Sequence, residues 1–138
     1  MTQARSLDDI AEEYAFLDAD DRYRLLIELG RALPPMPAEL KTEATRVPGC
    51  SASVWVYPLP AADGQLAFLA DSNAAITKGI VALVLAAVAG RGAAEVAAMD
   101  VMAALAPFDL ATQLSSNRTQ GLPNMIALVR EQAARRAG

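Results

Sequence analysis

The chain has 138 residues, of which 54% are hydrophobic and 20% are charged, and its formal charge is -4. That length suits one compact domain, and the apolar fraction excludes an intrinsically disordered chain. Nucleic-acid binding needs a basic surface, which a balance of 16 acidic to 12 basic residues does not predict. Because the apolar content is rich in alanine and poor in aromatic residues, the composition favours closely packed helices.

The sequence contains one cysteine, Cys50, and no histidine. One such chain can neither close a disulfide within itself nor build a zinc site from cysteine and histidine ligands. A cysteine protease or a serine triad needs a base that is normally histidine, so both classes are excluded. Chemistry at Cys50 must therefore use the thiol itself, with a partner supplying the other groups.

No segment predicts export or a membrane span. Residues 1–6 carry one arginine and no apolar run, unlike a secretory signal. The most apolar stretch, from Gly79 to Gly90, has about half the length that a bilayer requires. We therefore expect a cytoplasmic protein without membrane contact, in which a lone thiol stays reduced.

Two helices are predicted before the first cluster of prolines. Ser6-Leu7-Asp8-Asp9 resembles a capping box, and a short helix follows to about Phe16. The aspartates within residues 18–21 favour the start of a second helix, which the prolines of residues 34–37 end. Gly30 lies on the apolar face of this helix, where it marks either close packing or a frayed end. The other residues of that face are Tyr23, Leu26, Ile27 and Leu33.

The middle of the chain predicts a β-hairpin followed by a buried helix. Residues from Ser51 to Leu59 predict one strand, Asp63-Gly64 the reversal, and Gln65 to Ala70 the returning strand. Asp71-Ser72-Asn73 then offers three possible N-cap residues. The helix that follows, from Ala74 to Ala89, is apolar nearly all round, as is typical of the centre of a domain.

The last third of the chain is predicted to be helical. Short helices are expected from Ala93 to Met99 and from Val101 to Ala106, with a turn from Pro107 to Leu110. A last helix opens at Ser115-Ser116-Asn117, with Pro123 in its first turn. Its apolar stripe comprises Leu122, Met125, Ile126 and Val129. Helices on both sides of a hairpin predict an α+β domain with a small antiparallel sheet.

Cys50 is the main candidate for chemistry, because it follows Val47-Pro48-Gly49 in a loop at the entrance of a strand. A free cysteine is most often buried and inert, but loops on a rigid scaffold carry function disproportionately. A thiol without a base can still attack a sulfur atom that is activated elsewhere. A nearby cation or helix N-terminus would lower its pKa, and the candidates are the helix starts after Asp71 and Ser115 and the side chain of Arg118.

Four motifs occur in the same order, and at compatible spacings, as in a known family. Gly49 to Trp55 is similar to G-C-x-S-x-V-W, and Asp71 to Gly79 is similar to D-S-[DE]-A-x-I-x-K-G, with Asn in place of the acidic residue. Ser116 to Leu122 is similar to S-x-R-x-x-G-L, and Leu29 to Pro34 to L-G-x-x-L-P. Together they resemble the SufE family of sulfur-acceptor proteins, over about residues 23–130.

The resemblance implies a SufE/IscU-like α+β fold as one domain over residues 1–138. Its small antiparallel sheet, a hairpin with or without a third strand, packs against a helical layer. The resemblance also implies that Cys50 accepts sulfur from a persulfide on a SufS-type cysteine desulfurase and enhances that enzyme. The sulfur then passes to a SufBCD-type scaffold for iron–sulfur cluster assembly.

The resemblance implies further that the chain is a sulfur carrier and not a self-sufficient enzyme, and that it acts as a monomer or weak homodimer. No cofactor or metal is expected on it, since pyridoxal phosphate belongs to the desulfurase. The free cysteine is expected to pack against the body of the protein, so that its loop opens to meet the partner. Pro48 and Gly49 are candidates for controlling that motion.

Supporting or partner-binding candidates are Gly49, Ser51, Asp71, Ser72 and Arg118. Asp71 and Ser72 are interpreted first as helix caps and second as a border of the docking surface. Arg118 is either part of a surface ion pair or a group that stabilises the Cys50 thiolate or persulfide or meets the desulfurase. Trp55 is expected in the core, and Lys78 is expected to be solvated.

Two alternative functions stay open. In the first, the protein is a non-covalent adaptor that activates a desulfurase by binding alone. In the second, it is a CsdE-like carrier that serves a different desulfurase. Direct assembly of an iron–sulfur cluster is disfavoured, because clusters need several thiolate ligands and the chain has one cysteine.

Overall fold

The computed structural model describes residues 6–50, 52–59, 65–114 and 119–137. Two helices precede an antiparallel hairpin and further helices follow it, which confirms the predicted α+β class. Among the described residues, no helix combines the length and the apolar content that a membrane span needs. The elements are α1 (Leu7–Ala15), α2 (Ala19–Arg31), β1 (Val54–Leu59), β2 (Ala67–Ser72), α3 (Ala75–Val88), α4 (Ala93–Ala98), α5 (Val101–Ala104), α6 (Leu110–Gln113) and α7 (Leu122–Ala137), with 3-10 turns at Ala38–Leu40 and Ala106–Phe108.

The first two helices begin where the sequence predicts. The Ser6 hydroxyl accepts a hydrogen bond from the backbone N–H of Asp9 at 3.1 Å. The Asp18 carboxylate accepts one from the N–H of Asp21 at 2.9 Å. Each side chain thus satisfies a backbone donor that the first turn of a helix leaves free. α2 ends at Arg31, ahead of the prolines.

Helices α2 and α3 pack against each other through glycines. A Cβ on Gly30 would lie 2.8 Å from the backbone nitrogen of Gly79, and a Cβ on Gly79 would overlap the carbonyl oxygen of Leu26. Gly30 therefore marks close packing and not a frayed end. Because the contact centres on Gly30, the fully buried face of α2 is formed by Leu25, Leu26 and Gly30, while Tyr23, Ile27 and Leu33 are only half-buried.

The central position of α3 confirms the expectation from its composition. Leu83 and Ile80 are completely shielded from solvent, and Ile76, Val81, Val84 and Val88 are nearly so. The helix contacts α2 on one side and β2 on the other. Apart from the exposed Ala75 in its first turn, its apolar residues are therefore used in packing.

The second strand begins and ends two residues later than predicted, and the first begins only at Val54. β1 and β2 pair antiparallel, with Trp55 opposite Asp71 and Val54 opposite Ser72. The prediction of Asp71 and Ser72 as helix caps was therefore wrong, since the pairing with β1 commits both to the strand. The N-cap position of α3 is Ala74, whose side chain cannot accept a hydrogen bond. The predicted reversal at Asp63-Gly64 lies outside the described residues.

A short third segment borders the other edge of β1. Arg46 forms an isolated antiparallel bridge with Trp55. Val47 N–H donates to the Val54 carbonyl, and Val56 N–H donates to the Thr45 carbonyl, both at 2.8 Å. The chain between Val47 and Val54 is therefore a loop that joins two paired segments, and Cys50 lies within it.

The C-terminal helix covers the sheet and α4. Leu122, Met125, Ile126 and Val129 of α7 are buried, as predicted. Gln132 Nε2 donates to the Val56 carbonyl of β1 at 2.9 Å, which fixes the helix on the sheet. The predicted turn at Pro107–Leu110 is a 3-10 turn that ends at Asp109, and the short helix α6 after it was not predicted. The predicted start at Ser115-Ser116-Asn117 lies outside the described residues.

Candidate functional site

The Cys50 loop, residues 48–53, is fixed at both ends; residue 51 lies outside the described residues. At its start, Val47 pairs with Val54. At its end, the N–H of Ser53 donates to the side-chain oxygen of Asn73 at 3.1 Å. Between them Gly49 has a φ of 78°, a left-handed conformation that glycine adopts at little steric cost. The proline-glycine pair thus turns the chain just before the cysteine.

The Cys50 side chain is half-buried and packs against the hydrophobic core. Its thiol lies 3.9 Å from the carbonyl oxygen of Gly121, just before α7. A Cβ on residue 121 would overlap the cysteine sulfur, so the glycine leaves the space that the thiol occupies. The structure therefore places the free cysteine against the body of the protein, as the resemblance implied.

A second contact joins the Cys50 loop to the start of α7. Asn124, in the first turn of that helix, donates a hydrogen bond from Nδ2 to the carbonyl oxygen of Pro48 at 2.8 Å. The same amide nitrogen lies 2.5 Å from the position that a Cβ on Gly49 would take. A side chain at residue 49 would therefore meet Asn124 in addition to adopting an unfavourable φ. This gives Gly49, a predicted supporting residue, a definite structural role.

The electrostatic environment of Cys50 favours the neutral thiol. Burial raises its pKa, and the positive charge of Arg46 lowers it by less. Arg46 is exposed and was not predicted, although the pairing of its backbone with Trp55 places it beside the loop. The helix start predicted after Asp71 is that of α3, at Ala75, and the causes of the shift in the Cys50 pKa are burial and Arg46. Ser115 and Arg118 lie outside the described residues.

Asp71 forms ion pairs with two lysines on different parts of the fold. Its carboxylate lies 2.6 Å from Lys41 Nζ and 3.3 Å from Lys78 Nζ. Burial would raise the pKa of Asp71, but hydrogen bonds from Lys41, the Ser72 N–H and Lys78 outweigh it and lower the pKa. The Lys41 ammonium also lies 5.2 Å from the centroid of the Trp55 ring.

These contacts correct the expectations that Lys78 is a solvated charge and that Trp55 lies in the core. Lys78 is ion-paired, and Trp55 is half-buried beneath Lys41 and does not lie in the core. Because Lys41 precedes the Cys50 loop, while Asp71 and Lys78 belong to β2 and α3, the cluster ties the approach to the loop onto the body of the protein. Asp71 is thus already engaged within the chain.

Ser72 supports the downstream end of the Cys50 loop through the backbone. It pairs with Val54, where β1 begins, and its hydroxyl accepts a hydrogen bond from the N–H of Ala74 at 3.2 Å. Ser51 and Arg118, the two other predicted candidates, lie outside the described residues.

The arrangement is that of one thiol on a loop with fixed ends, packed against the start of a helix. The SufE family model, described as an Fe-S metabolism associated domain, matches residues 8–133. The chain belongs to the SufE family. The match covers both hairpin strands, the Cys50 loop and most of α7, so all parts of the site described above fall within it.

Relatives of this SufE-family chain extend over nearly all or most of its length. An uncharacterised SufE-like protein of Rhizobium etli is 41% identical, with 96% of this chain and 92% of that protein covered. The sulfur acceptor protein CsdE of Escherichia coli is 42% identical, with 75% of this chain and 70% of that protein covered. A solution structure of a hypothetical protein from Thermus thermophilus has the same fold, with a TM-score of 0.74, 19% identity and coverage of 94% and 93%.

Four residues of this SufE-family site were missed from the sequence, and one of them is Lys41, whose pairing with Asp71 joins segments far apart in the chain. Gly121 lies within a matched motif, and its position before α7 could have indicated a close contact. Arg46 could have been found only by extending the strand pairing backward from Val47-Pro48-Gly49. Asn124 carries no sequence signal, because it acts on a carbonyl group 76 residues away.

The pKa of Cys50 leads to a prediction about its reactivity. Alkylation consumes the thiolate, so the rate for the folded protein should reach half its maximum at a higher pH than the rate for the same chain in urea. The reason is that burial raises the thiol pKa by more than Arg46 lowers it. Rates with iodoacetamide across the alkaline range, folded and unfolded, measure the difference. If the pH midpoint of alkylation for the folded protein lay at or below that for the unfolded chain, the raised pKa of Cys50 would be contradicted.

Proposed function

We propose that this chain is a sulfur acceptor and carrier that takes persulfide sulfur from a cysteine desulfurase onto Cys50. The observation that carries the proposal is the position of the chain's one cysteine on a loop with fixed ends in a SufE-family fold. The relationship to CsdE, which is named a sulfur acceptor protein, supports the same role. The chain enhances the desulfurase by removing its product and is not itself a self-sufficient enzyme.

The transfer is a thiol exchange in which atoms and electrons balance. The Cys50 thiolate attacks the outer sulfur of the donor persulfide, and a bond forms between Cys50 Sγ and that sulfur. The sulfur–sulfur bond of the donor breaks, and its electron pair leaves with the donor cysteine as a thiolate. Cys50 thereby becomes the persulfide, and no external oxidant, metal or cofactor on this chain is needed. Pyridoxal phosphate acts in the desulfurase, where it releases the sulfur from free cysteine.

The resting geometry suits a carrier that protects its thiol between encounters. The half-buried sulfur against Gly121 is shielded from oxidants, and its raised pKa keeps it protonated. Transfer then requires the Cys50 loop to leave α7, so that the thiol becomes solvated and reaches the donor. A second exchange of the same kind, with a thiolate of a SufBCD-type scaffold as the attacking group, delivers the sulfur to cluster assembly in the cytoplasm.

Sulfur transfer to the intact chain tests the proposal directly. The protein is incubated with a SufS-type desulfurase and cysteine without reductant, then digested and analysed by mass spectrometry. We expect the Cys50 peptide to gain one sulfur atom, and the gain to disappear when cysteine is omitted or reductant is added. An unmodified Cys50 peptide beside a desulfurase that turns over faster would instead identify a non-covalent adaptor.

The identity of the desulfurase is a second question, because the relationship to CsdE supports the alternative that the chain is a CsdE-like carrier serving a different desulfurase. The same experiment with a CsdA-type desulfurase separates the two candidates. Faster sulfur uptake from the CsdA-type desulfurase than from the SufS type would identify the chain as a CsdE-like carrier.

A further inference from the structure

Among the described residues, two polar contacts of different strength join the tip of the Cys50 loop to the start of α7. The thiol lies 3.9 Å from the Gly121 carbonyl, a long and weak interaction because sulfur is a poor donor. The amide of Asn124 donates to the Pro48 carbonyl at 2.8 Å, which is an ordinary hydrogen-bond length. Of these two, the Asn124 contact has the greater capacity to hold the loop in place.

The ends of the loop are held independently of α7. Val47 is paired with Val54 in the backbone, and Ser53 is bound by Asn73 of the turn after β2. Detachment of the tip from α7 therefore leaves the sheet and the loop ends intact. The fold thus permits a local motion in which the Pro48 carbonyl and the Cys50 thiol leave the helix together.

We propose that Asn124 is a positioning residue that holds the Cys50 loop closed through its hydrogen bond to Pro48 and so sets how often the thiol is exposed. The consequence for sulfur uptake rests on the proposed function, but the effect on thiol exposure does not. Loss of one hydrogen bond of ordinary net strength shifts a closed-to-open equilibrium by about fivefold. The hydrogen bond described for Asn124 is to the Pro48 carbonyl, so its effect on the thiol is exerted through Pro48.

The test measures the alkylation of Cys50 by iodoacetamide, a reaction that needs no desulfurase. With Asn124→Ala we expect the rate near neutral pH to rise about fivefold, since the open fraction increases by that factor. The pH midpoint of the reaction should also fall toward that of the unfolded chain, because the released thiol is solvated. An unchanged rate, or a faster rate with an unchanged midpoint, overturns the proposal.

A second variant separates loop release from general loss of stability. Asn124→Asp replaces the amide donor with a carboxylate that faces the Pro48 carbonyl and repels it. A negative charge in the first turn of α7 nevertheless favours the helix. We therefore expect this variant to be alkylated at least as fast as Asn124→Ala while its midpoint of urea unfolding stays at or above that of Asn124→Ala. Slow alkylation of the Asp variant contradicts the proposal.

The matched control is Arg130→Ala on the same helix. Arg130 donates to the carbonyl oxygen of Ala97 from Nε at 3.2 Å and from Nη2 at 2.9 Å. The variant therefore also removes hydrogen bonding from an α7 side chain to a backbone carbonyl, but at α4. Its alkylation rate should equal that of the wild type. Equal acceleration in Arg130→Ala and Asn124→Ala would show that any weakening of α7 exposes Cys50, which overturns a specific role for Asn124.

The same variants distinguish this inference from the proposed function. If Asn124→Ala is alkylated faster and also gains persulfide sulfur faster, both are supported. If alkylation accelerates while Cys50 gains no sulfur from either desulfurase, Asn124 holds the loop but the carrier function fails. If sulfur uptake is normal and alkylation is unchanged, the carrier function holds and the role of Asn124 is rejected.

Discussion

Replacing Cys50 with serine is expected to abolish sulfur uptake by the chain and its stimulation of the desulfurase. The serine hydroxyl is slightly smaller than the thiol and fits the same space against Gly121, so the fold and the loop should be preserved. The hydroxyl is not ionised near neutral pH and cannot take sulfur from a persulfide, because that attack needs a thiolate. The loss should be complete, since the chain has no other cysteine.

The measurement is the rate of alanine release by the desulfurase, with excess cysteine and with or without the variant. Binding of Cys50→Ser to the desulfurase should match the wild type, and excess variant should suppress stimulation by the wild type through competition. Unchanged stimulation by Cys50→Ser would identify an adaptor that acts by binding alone. Loss of both stimulation and binding would show that the serine variant had lost its docking surface. The test would then be repeated with wild-type protein in which Cys50 is blocked by alkylation.

The fold class followed from the sequence because local patterns and tertiary packing agree over most of the chain. The caps at Ser6 and Asp18 satisfy backbone N–H groups at the helix starts that the fold retains. The apolar stripe of α7 is the face that the fold buries. The uniformly apolar α3 could belong only at the centre. When local sequence patterns and tertiary packing favour the same structure, the fold can be predicted from one sequence.

The prediction failed where contacts with distant segments overrode a local signal. Asp71-Ser72-Asn73 has the composition of a helix cap, and nothing local contradicts that interpretation. Pairing with β1 nevertheless extends to Ser72, and the Asp71 carboxylate binds Lys41 and Lys78. Cross-strand pairing and ion pairs between distant segments thus decided the conformation, and neither leaves a signal in the three residues themselves.

The candidate site was predicted in its centre but not in its surroundings. Cys50 and Gly49 stand out by residue type, since the cysteine is unique and the glycine permits a left-handed turn. Asn124 and Gly121 matter only because α7 passes beside the loop, which depends on the packing of the whole domain. One sequence can therefore single out the candidate thiol, while the tertiary structure shows which residues pack beside it.

The two supports of the Cys50 region differ in strength. Upstream of the loop, Lys41 is bound to a carboxylate with 20% of its side chain exposed, in an ion pair that Lys78 reinforces. At the tip, the described contacts with α7 are one amide hydrogen bond and one weak sulfur contact. In the proposed opening of the loop, such a base would confine the motion to the segment that carries the thiol, and the cysteine would move without loosening the sheet.

Substituting Gly79 with alanine is expected to destabilise the whole domain by about 2 kcal/mol, which is the upper overpacking cost less the gain in helix propensity. The new Cβ would overlap the Leu26 carbonyl oxygen and lie 2.6 Å from the carbonyl carbon, so α2 and α3 must move apart. Overpacking of this kind costs about 1–3 kcal/mol, and occasionally more. Alanine favours a helix over glycine by about 1 kcal/mol, which offsets part of that cost. Urea unfolding followed by far-ultraviolet circular dichroism measures the difference.

Two further variants identify the cause of the loss in Gly79→Ala. Gly90→Ala is the control after the end of the same helix, where a Cβ meets nothing within 4 Å and only the φ of 76° is unfavourable. Its cost should be about 1–2 kcal/mol, from backbone strain alone. In the double variant, Leu26→Ala should not restore stability to Gly79→Ala, because the overlap is with the backbone of Leu26 and not with its removable side chain. Rescue by Leu26→Ala, or a Gly79→Ala protein as stable as the wild type, would show that the helices do not meet backbone to backbone at Gly79.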